Sequence, residues 1–132
     1  MNREDFIKEV VFEFYKKATS DFLIGYQFRK IQEHSGEDPL KPPIEAFKEH
    51  LPRIENFWRV QLLGENIQGE PFDLIYIHQK LNIKKGELGR WIHLFQETLL
   101  EQQKKYDMDD SFTETWLKKV KIFEKKFNHL LF

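Results

Sequence analysis

The chain has 132 residues, a formal net charge of −1, no cysteine, and 13 Phe, 4 Tyr and 3 Trp. That length suits one domain, 1–132, built on one core. Without cysteine there are no disulfides, no thiolate catalysis and no cysteine-bound zinc or iron–sulfur cluster, and the near-neutral charge argues against a dedicated nucleic-acid binder.

The first helix is predicted over about residues 3–19. Phe6, Ile7, Val10, Val11, Phe14 and Ala18 recur at three- and four-residue steps, which is the pattern of one buried helix face. Tyr15 sits at the edge of that stripe, where a ring can be buried while its hydroxyl seeks a polar partner. A second, short helix starts near Ser20 or Asp21, with Phe22, Leu23, Phe28 and Ile31 inward and Gly25 within it. Breakers then cluster at 33–43, His-Ser-Gly-Glu-Asp-Pro and Lys-Pro-Pro, and mark a long surface connection. A third helix covers 44–63 and stops at Gly64, with Phe47, Leu51, Ile54, Phe57, Trp58 and Leu62 as its apolar face. Pro52 would remove a backbone hydrogen bond from its interior. Either the helix kinks at 48–51, or a new helix begins there with Pro52 in its first turn. Both options put His50 at a break.

The stretch 72–83, Phe-Asp-Leu-Ile-Tyr-Ile-His-Gln-Lys-Leu-Asn-Ile, reads as a short helix with loose ends between two turns. Its apolar residues surround His78. A histidine in such company is most often a core residue bonded to a carbonyl, but neutral imidazole is also a common iron or zinc ligand. The next helix runs over 86–105, with Leu88, Trp91, Ile92, Phe95, Leu99 and Leu100 inward. The last opens with a capping box, Ser111-x-x-Glu114, and turns Trp116, Val120, Phe123, Phe127, Leu130 and Leu131 inward. The lysine pairs at 118–119 and 125–126 read as a solvated face. No strand alternation or hairpin dipeptide occurs, so the class is all-α, with six or so helices.

The aromatic richness points to a wide, flat-walled interior or a large apolar ligand. The charged start leads straight into an amphipathic pattern, and nothing approaches ~20 apolar residues in a row. A soluble, unprocessed, cytoplasmic protein with no membrane partner is expected. The phosphate-cradling and dinucleotide glycine motifs are absent, as are H-E-x-x-H and the G-x-S-x-G elbow. No histidine follows a glutamate at three residues, which removes the Glu-x-x-His pairs of a helical di-iron site.

What remains is Phe14-Tyr15, then Asp21 and Ile24-Gly25. Glu-His-Leu-Pro-Arg-Ile-Glu-Asn-Phe-Trp follows at 49–58, Leu-Leu-Gly-Glu at 62–65 and Gly-Glu-Pro at 69–71. His78-x-x-Leu81 and Arg-Trp-Ile-His-Leu-Phe at 90–95 complete the set. In this order and spacing, over about 10–100, the sequence resembles a truncated haemoglobin, most closely the third group. It departs from that pattern in the long 33–43 connection, in Pro52, and in Leu81-Asn82 where Leu-Pro often follows the proximal histidine.

The resemblance implies a truncated globin fold, a 2-over-2-like helical sandwich around haem b. It implies His78 as proximal iron ligand, with Tyr15, His50 and Trp91 on the opposite side. Phe14, Ile54, Trp58 and Phe95 would be apolar walls, and Arg53 would reach a propionate. The expected partners are diatomic gases (O2, NO, CO) and a reductase, with the chain a monomer or weak homodimer. Three polar groups opposite the proximal ligand favour oxygen, nitric oxide or peroxide redox chemistry over bulk oxygen transport, so dioxygenase- or peroxidase-like turnover is open. The competing expectation is a haem-free globin-fold sensor or protein-interaction module.

Overall fold

The computed structural model describes residues 1–29, 47–65, 78 and 81–132. The expected loop at 33–43, Ile31, the start of the third helix at 44–46, the turn at 69–71 and most of the 72–83 stretch lie outside the described residues. Within them every regular element is helical and no strand occurs, so the chain is all-α. Among the described residues no helix is long and apolar enough to cross a membrane.

Helix α1 spans Arg3–Thr19. Asn2 caps it by accepting a hydrogen bond from the Asp5 N–H at 2.8 Å. Glu4 and Asp5 in its first turn and Lys16 and Lys17 in its last complement the helix dipole. The predicted stripe from Phe6 to Ala18 is buried, and Tyr15 is buried with it.

The next segment corrects the sequence reading. Helix α2 is only Gly25–Arg29. Residues 20–24 form a turn, in which an Asp21 carboxylate oxygen accepts from the N–H groups of Leu23 (3.0 Å) and Ile24 (3.2 Å). This Asx-type turn delays the helix and rotates Phe22 and Leu23 outward, so that Phe22 is 89% exposed. Ile24 and Phe28 are the inward residues.

The other oxygen of Asp21 accepts two hydrogen bonds from Arg90, at 2.7 and 3.1 Å. The Asp21 side chain is only 6% exposed. Burial works against its ionisation, but the bonds from Arg90, Ile24 and Leu23 outweigh that and hold its carboxyl below the usual range. A depressed folded-state pKa means stability that is complete above the unfolded aspartate value of ~3.9 and lost as pH falls through the folded value. Wild type and Asp21→Asn should therefore differ in urea midpoint at pH 6 and converge below about pH 4. A gap that stays constant down to the lowest pH would contradict this.

Helix α3 spans Leu51–Leu63 and settles the Pro52 alternative. His50 is the N-cap and Pro52 lies in the first turn, where its missing N–H removes no intrahelical bond. The chain enters through a tight turn in which the His50 N–H donates to the Phe47 carbonyl at 2.9 Å. Gly64 ends the helix in the left-handed region, at φ 67°, and its N–H reaches the Val60 carbonyl.

Helix α4 spans Lys85–Tyr106 and α5 spans Asp110–Leu131. The cap of α5 is Asp109, which accepts from the Ser111 N–H at 3.1 Å, and not Ser111 itself. Two residues expected inside are outside: Leu100 is 50% and Leu130 52% exposed. On α4 the stripe continues instead through buried Leu94, Thr98 and Gln102.

Helix α1 packs on α4 and α3, α4 on α5, α2 on α1, and α3 on α5. Lys17 ties α1 to α4 by reaching Glu97 at 3.3 Å and Glu101 at 2.6 Å. The core where these helices meet is aromatic: Phe6, Phe95, Trp116 and Phe127 are each at most 2% exposed.

Candidate functional site

The aromatic core does not close completely. A cavity of about 120 Å³, open to solvent at its mouth, lies between the helices. Its wall is mostly hydrocarbon. Val11, Phe14 and Tyr15 come from α1, Ile54, Phe57 and Trp58 from α3, and Leu88, Trp91 and Phe95 from α4. Phe123, Phe127 and Leu131 come from α5.

Of the nine residues singled out in the sequence, eight line this cavity: Phe14, Tyr15, His50, Ile54, Trp58, His78, Trp91 and Phe95. Arg53 does not; it is exposed in the first turn of α3. The spacing of α1 explains two of the eight. Phe14 and Tyr15 are adjacent, so their side chains diverge by roughly 100° around the helix. Phe14 therefore meets α4, with ring centroids 5.7 Å from Trp91 and 5.0 Å from Phe95. Tyr15 meets the entry to α3, 5.6 Å from Phe47 and 5.8 Å from His50. Burial pushes the Tyr15 phenol well above its ordinary range, so it stays neutral and able to donate at any physiological pH.

His50 faces the cavity because the helix restarts there. A cap residue followed by Pro52 is positioned by the turn before it as much as by the helix after it. Trp91 stacks on Phe95 at 5.7 Å and 25°, which fixes the plane of its indole. His78 is half-buried and lies against Phe127, with ring centroids 5.1 Å apart. It also borders a small polar depression lined by Asn82, Ile83, Leu130 and Leu131. Among the described residues no group of three or more potential metal-ligating side chains forms.

Two cavity residues escaped the sequence reading. Gln27, on α2, is 6% exposed, and Glu87 is in the first turn of α4. The Gln27 amide N–H groups donate to a Glu87 carboxylate oxygen at 3.0 Å and to the Tyr26 hydroxyl at 3.2 Å. Burial works against ionisation of Glu87, but hydrogen bonds from Tyr26, the Lys84 backbone N–H and Gln27 outweigh it and hold its carboxyl below the usual range. The Gln27 carbonyl oxygen is buried and accepts no hydrogen bond. The signal available in the sequence was Gln27 itself, a polar residue between Ile24 and Phe28 on a short apolar face.

No protein-family model, curated protein or solved structure matches this chain.

Proposed function

We propose that the chain is a haem-binding protein of the truncated-haemoglobin kind, which binds diatomic ligands for redox chemistry rather than bulk oxygen transport. One observation carries this reading. A single cavity with largely hydrocarbon walls has His78 in its lining together with a phenol, a second imidazole and an indole, from Tyr15, His50 and Trp91. An apolar pocket with a few convergent polar groups is the usual form of a cofactor site.

The residues present fit haem b. An imidazole is the proximal donor of globins and peroxidases, and flat aromatic walls suit a flat macrocycle. When bound, the haem would supply an iron with one coordination position open to a small ligand. His78 would hold the metal from its side of the cavity, and Phe127 would limit rotation of its ring. The neutral Tyr15 phenol and the Trp91 indole are hydrogen-bond donors, and His50 donates from whichever ring nitrogen carries the proton. Donors near a ligand that gains negative charge stabilise it. Phe14, Ile54, Trp58 and Phe95 would exclude water. The contact of Arg53 with a propionate would be made at the solvent edge.

Titration of the purified chain with haemin tests the reading. The expected result is stoichiometric uptake with an intense Soret band, and slow oxygen release after reduction. If no band develops with excess haemin, the chain is instead a helical sensor or interaction module.

A further inference from the structure

The outer face of α5 carries a charge pattern that the rest of the chain does not. Between residues 118 and 132 there are five lysines and one glutamate, while the remainder of the chain has 16 basic against 21 acidic residues. The chain is thus an acidic body carrying one positive helix end. Ile122 stands at its centre. The neighbours of Ile122 one helical turn away on either side, at three and four residues, are Lys118, Lys119, Lys125 and Lys126. Ile122 is 51% exposed, and Lys118, Lys121, Lys125 and Lys126 are exposed around it. Among the described residues none of these lysines forms an ion pair, whereas Lys17, Arg59 and Arg90 do. Lys121 and Lys125 are like charges four residues apart, an arrangement that costs helix stability and is relieved when a negative surface is laid across it. An exposed apolar side chain inside a ring of cations has the form of a small charge-steered docking patch. The lysines guide the encounter, and the apolar centre sheds water on contact.

The inner face of the same helix reaches the cavity. Phe123, next in sequence to Ile122, lines it, and its ring lies 5.5 Å from Phe57 and 5.8 Å from Trp58. A partner seated on Ile122 is therefore about one helix diameter, ~10–12 Å, from the cavity wall.

We propose that this face of α5 is the docking site for a small acidic electron-carrier protein, seated over Ile122 and held by Lys118, Lys121 and Lys125. This role rests on the haem reading, which requires a source of electrons: the carrier loses one electron, ferric iron gains it, and no atom or proton is transferred. Electron-transfer encounters are among the smallest protein interfaces and are steered by charge, which suits a single helix face. The acidic remainder of the chain disfavours the longer negative surfaces of nucleic acid and anionic membrane.

The test uses the full chain as purified, without haemin, and flavodoxin, an acidic flavin-bearing carrier, as the probe. Calorimetric titration gives the affinity. Raising ionic strength from ~0.01 M to ~0.15 M shortens the screening length from ~30 to ~8 Å, so binding should weaken at least about tenfold. At ~0.1 M, where charges beyond ~10 Å are largely screened, Lys118→Glu/Lys125→Glu should weaken binding roughly tenfold. Ile122→Ser, which leaves the charge alone, should weaken it roughly fivefold. Lys104→Glu/Lys105→Glu makes the same change of net charge on exposed residues of α4 and should cost less than about twofold. Circular dichroism confirms the helices in each variant. In the haemin-loaded chain the rate of reduction by reduced flavodoxin should fall in the same order. Equal losses for the two lysine pairs, an unchanged affinity or reduction rate in Lys118→Glu/Lys125→Glu, or no binding by wild type at low ionic strength overturns the proposal. Capture by phosphatidylserine vesicles without flavodoxin binding overturns it too, and would make the face a membrane surface. Haemin uptake, read from the Soret band of a second sample, reports separately on the haem reading.

Discussion

Replacing His78 by alanine should abolish the Soret band of the haemin-loaded chain while leaving its helical circular dichroism unchanged. The expectation follows from where the imidazoles are. His78 and His50 both line the cavity, but they enter it from different elements. His93 is exposed on α4 and His129 on α5. Apolar walls can retain a macrocycle weakly, but only a donor bonded to the metal fixes it. Disturbing a group that merely orients a metal ligand costs ~10–100-fold in affinity, and removing the ligand itself should cost at least that. His50→Leu should keep the band and alter the rate of ligand release. His78→Gly with added imidazole should recover the band, because the side chain is replaced by a free equivalent in the space it vacates. If His78→Ala takes up haemin with the wild-type spectrum, the assignment of this histidine to iron is wrong. Loss of the band in His50→Leu instead would move the metal to the other wall.

Replacing Phe95 by alanine should cost about 3–5 kcal/mol of folding stability, the range for truncating a buried Phe. Total stabilities of small domains are ~5–15 kcal/mol, so much of the margin would go. Phe95 is 1% exposed and stands where α1, α3, α4 and α5 meet. Its ring centroid lies 5.0 Å from Phe14, 5.5 Å from Trp58 and 5.7 Å from both Trp91 and Trp116. Edge-to-face and offset pairs of this kind add stabilisation beyond area burial. The residue also lines the cavity, so its neighbours cannot close over the gap without shrinking the site. Urea denaturation at constant m-value measures the effect. Leu100→Ala, on the same helix but 50% exposed, is the control and should cost less than ~1 kcal/mol. Equal costs for the two would mean that the aromatic junction does not hold these helices together.

How far the sequence could be read depended on the length of each element. Helix α1 was legible end to end, because a stripe repeated over 17 residues averages out local exceptions and Asn2 and Ser20 bracket it. The five residues of α2 offer no such averaging. There a single carboxylate, Asp21, decides whether Phe22 and Leu23 continue a helix or turn outward, and its reach to the Leu23 and Ile24 N–H groups is a contact that periodicity does not encode. Pro52 left two options because proline is compatible with both a kink and a first turn; the cap at His50 chose the second. On α4, Leu100 follows Leu99 directly and so falls about 100° off the stripe, while Gln102 continues it. Hydrophobicity suggested Leu100, and helical phase overruled it.

The site was legible to a different degree. Residue types with recognisable chemistry, the two histidines, Tyr15 and Trp91, drew attention wherever they fell, and eight of the nine singled-out residues line one cavity. Gln27 and Glu87 have no such signature. Their importance arises only when α2 is laid against the start of α4, a juxtaposition between residues 60 positions apart in the chain.

The α2 segment is held by bonds to residues 60 and 69 positions away in the chain. Asp21 just before it is clasped by Arg90, and Gln27 within it by Glu87, so both fasteners of this wall panel sit one turn apart at the start of α4. Each depends on a carboxylate that must keep its negative charge. One flank of the greasy interior is thus fastened by one ion pair and one amide-to-carboxylate hydrogen bond, and acid strong enough to neutralise both carboxylates should loosen the α2 side before the long helices come apart.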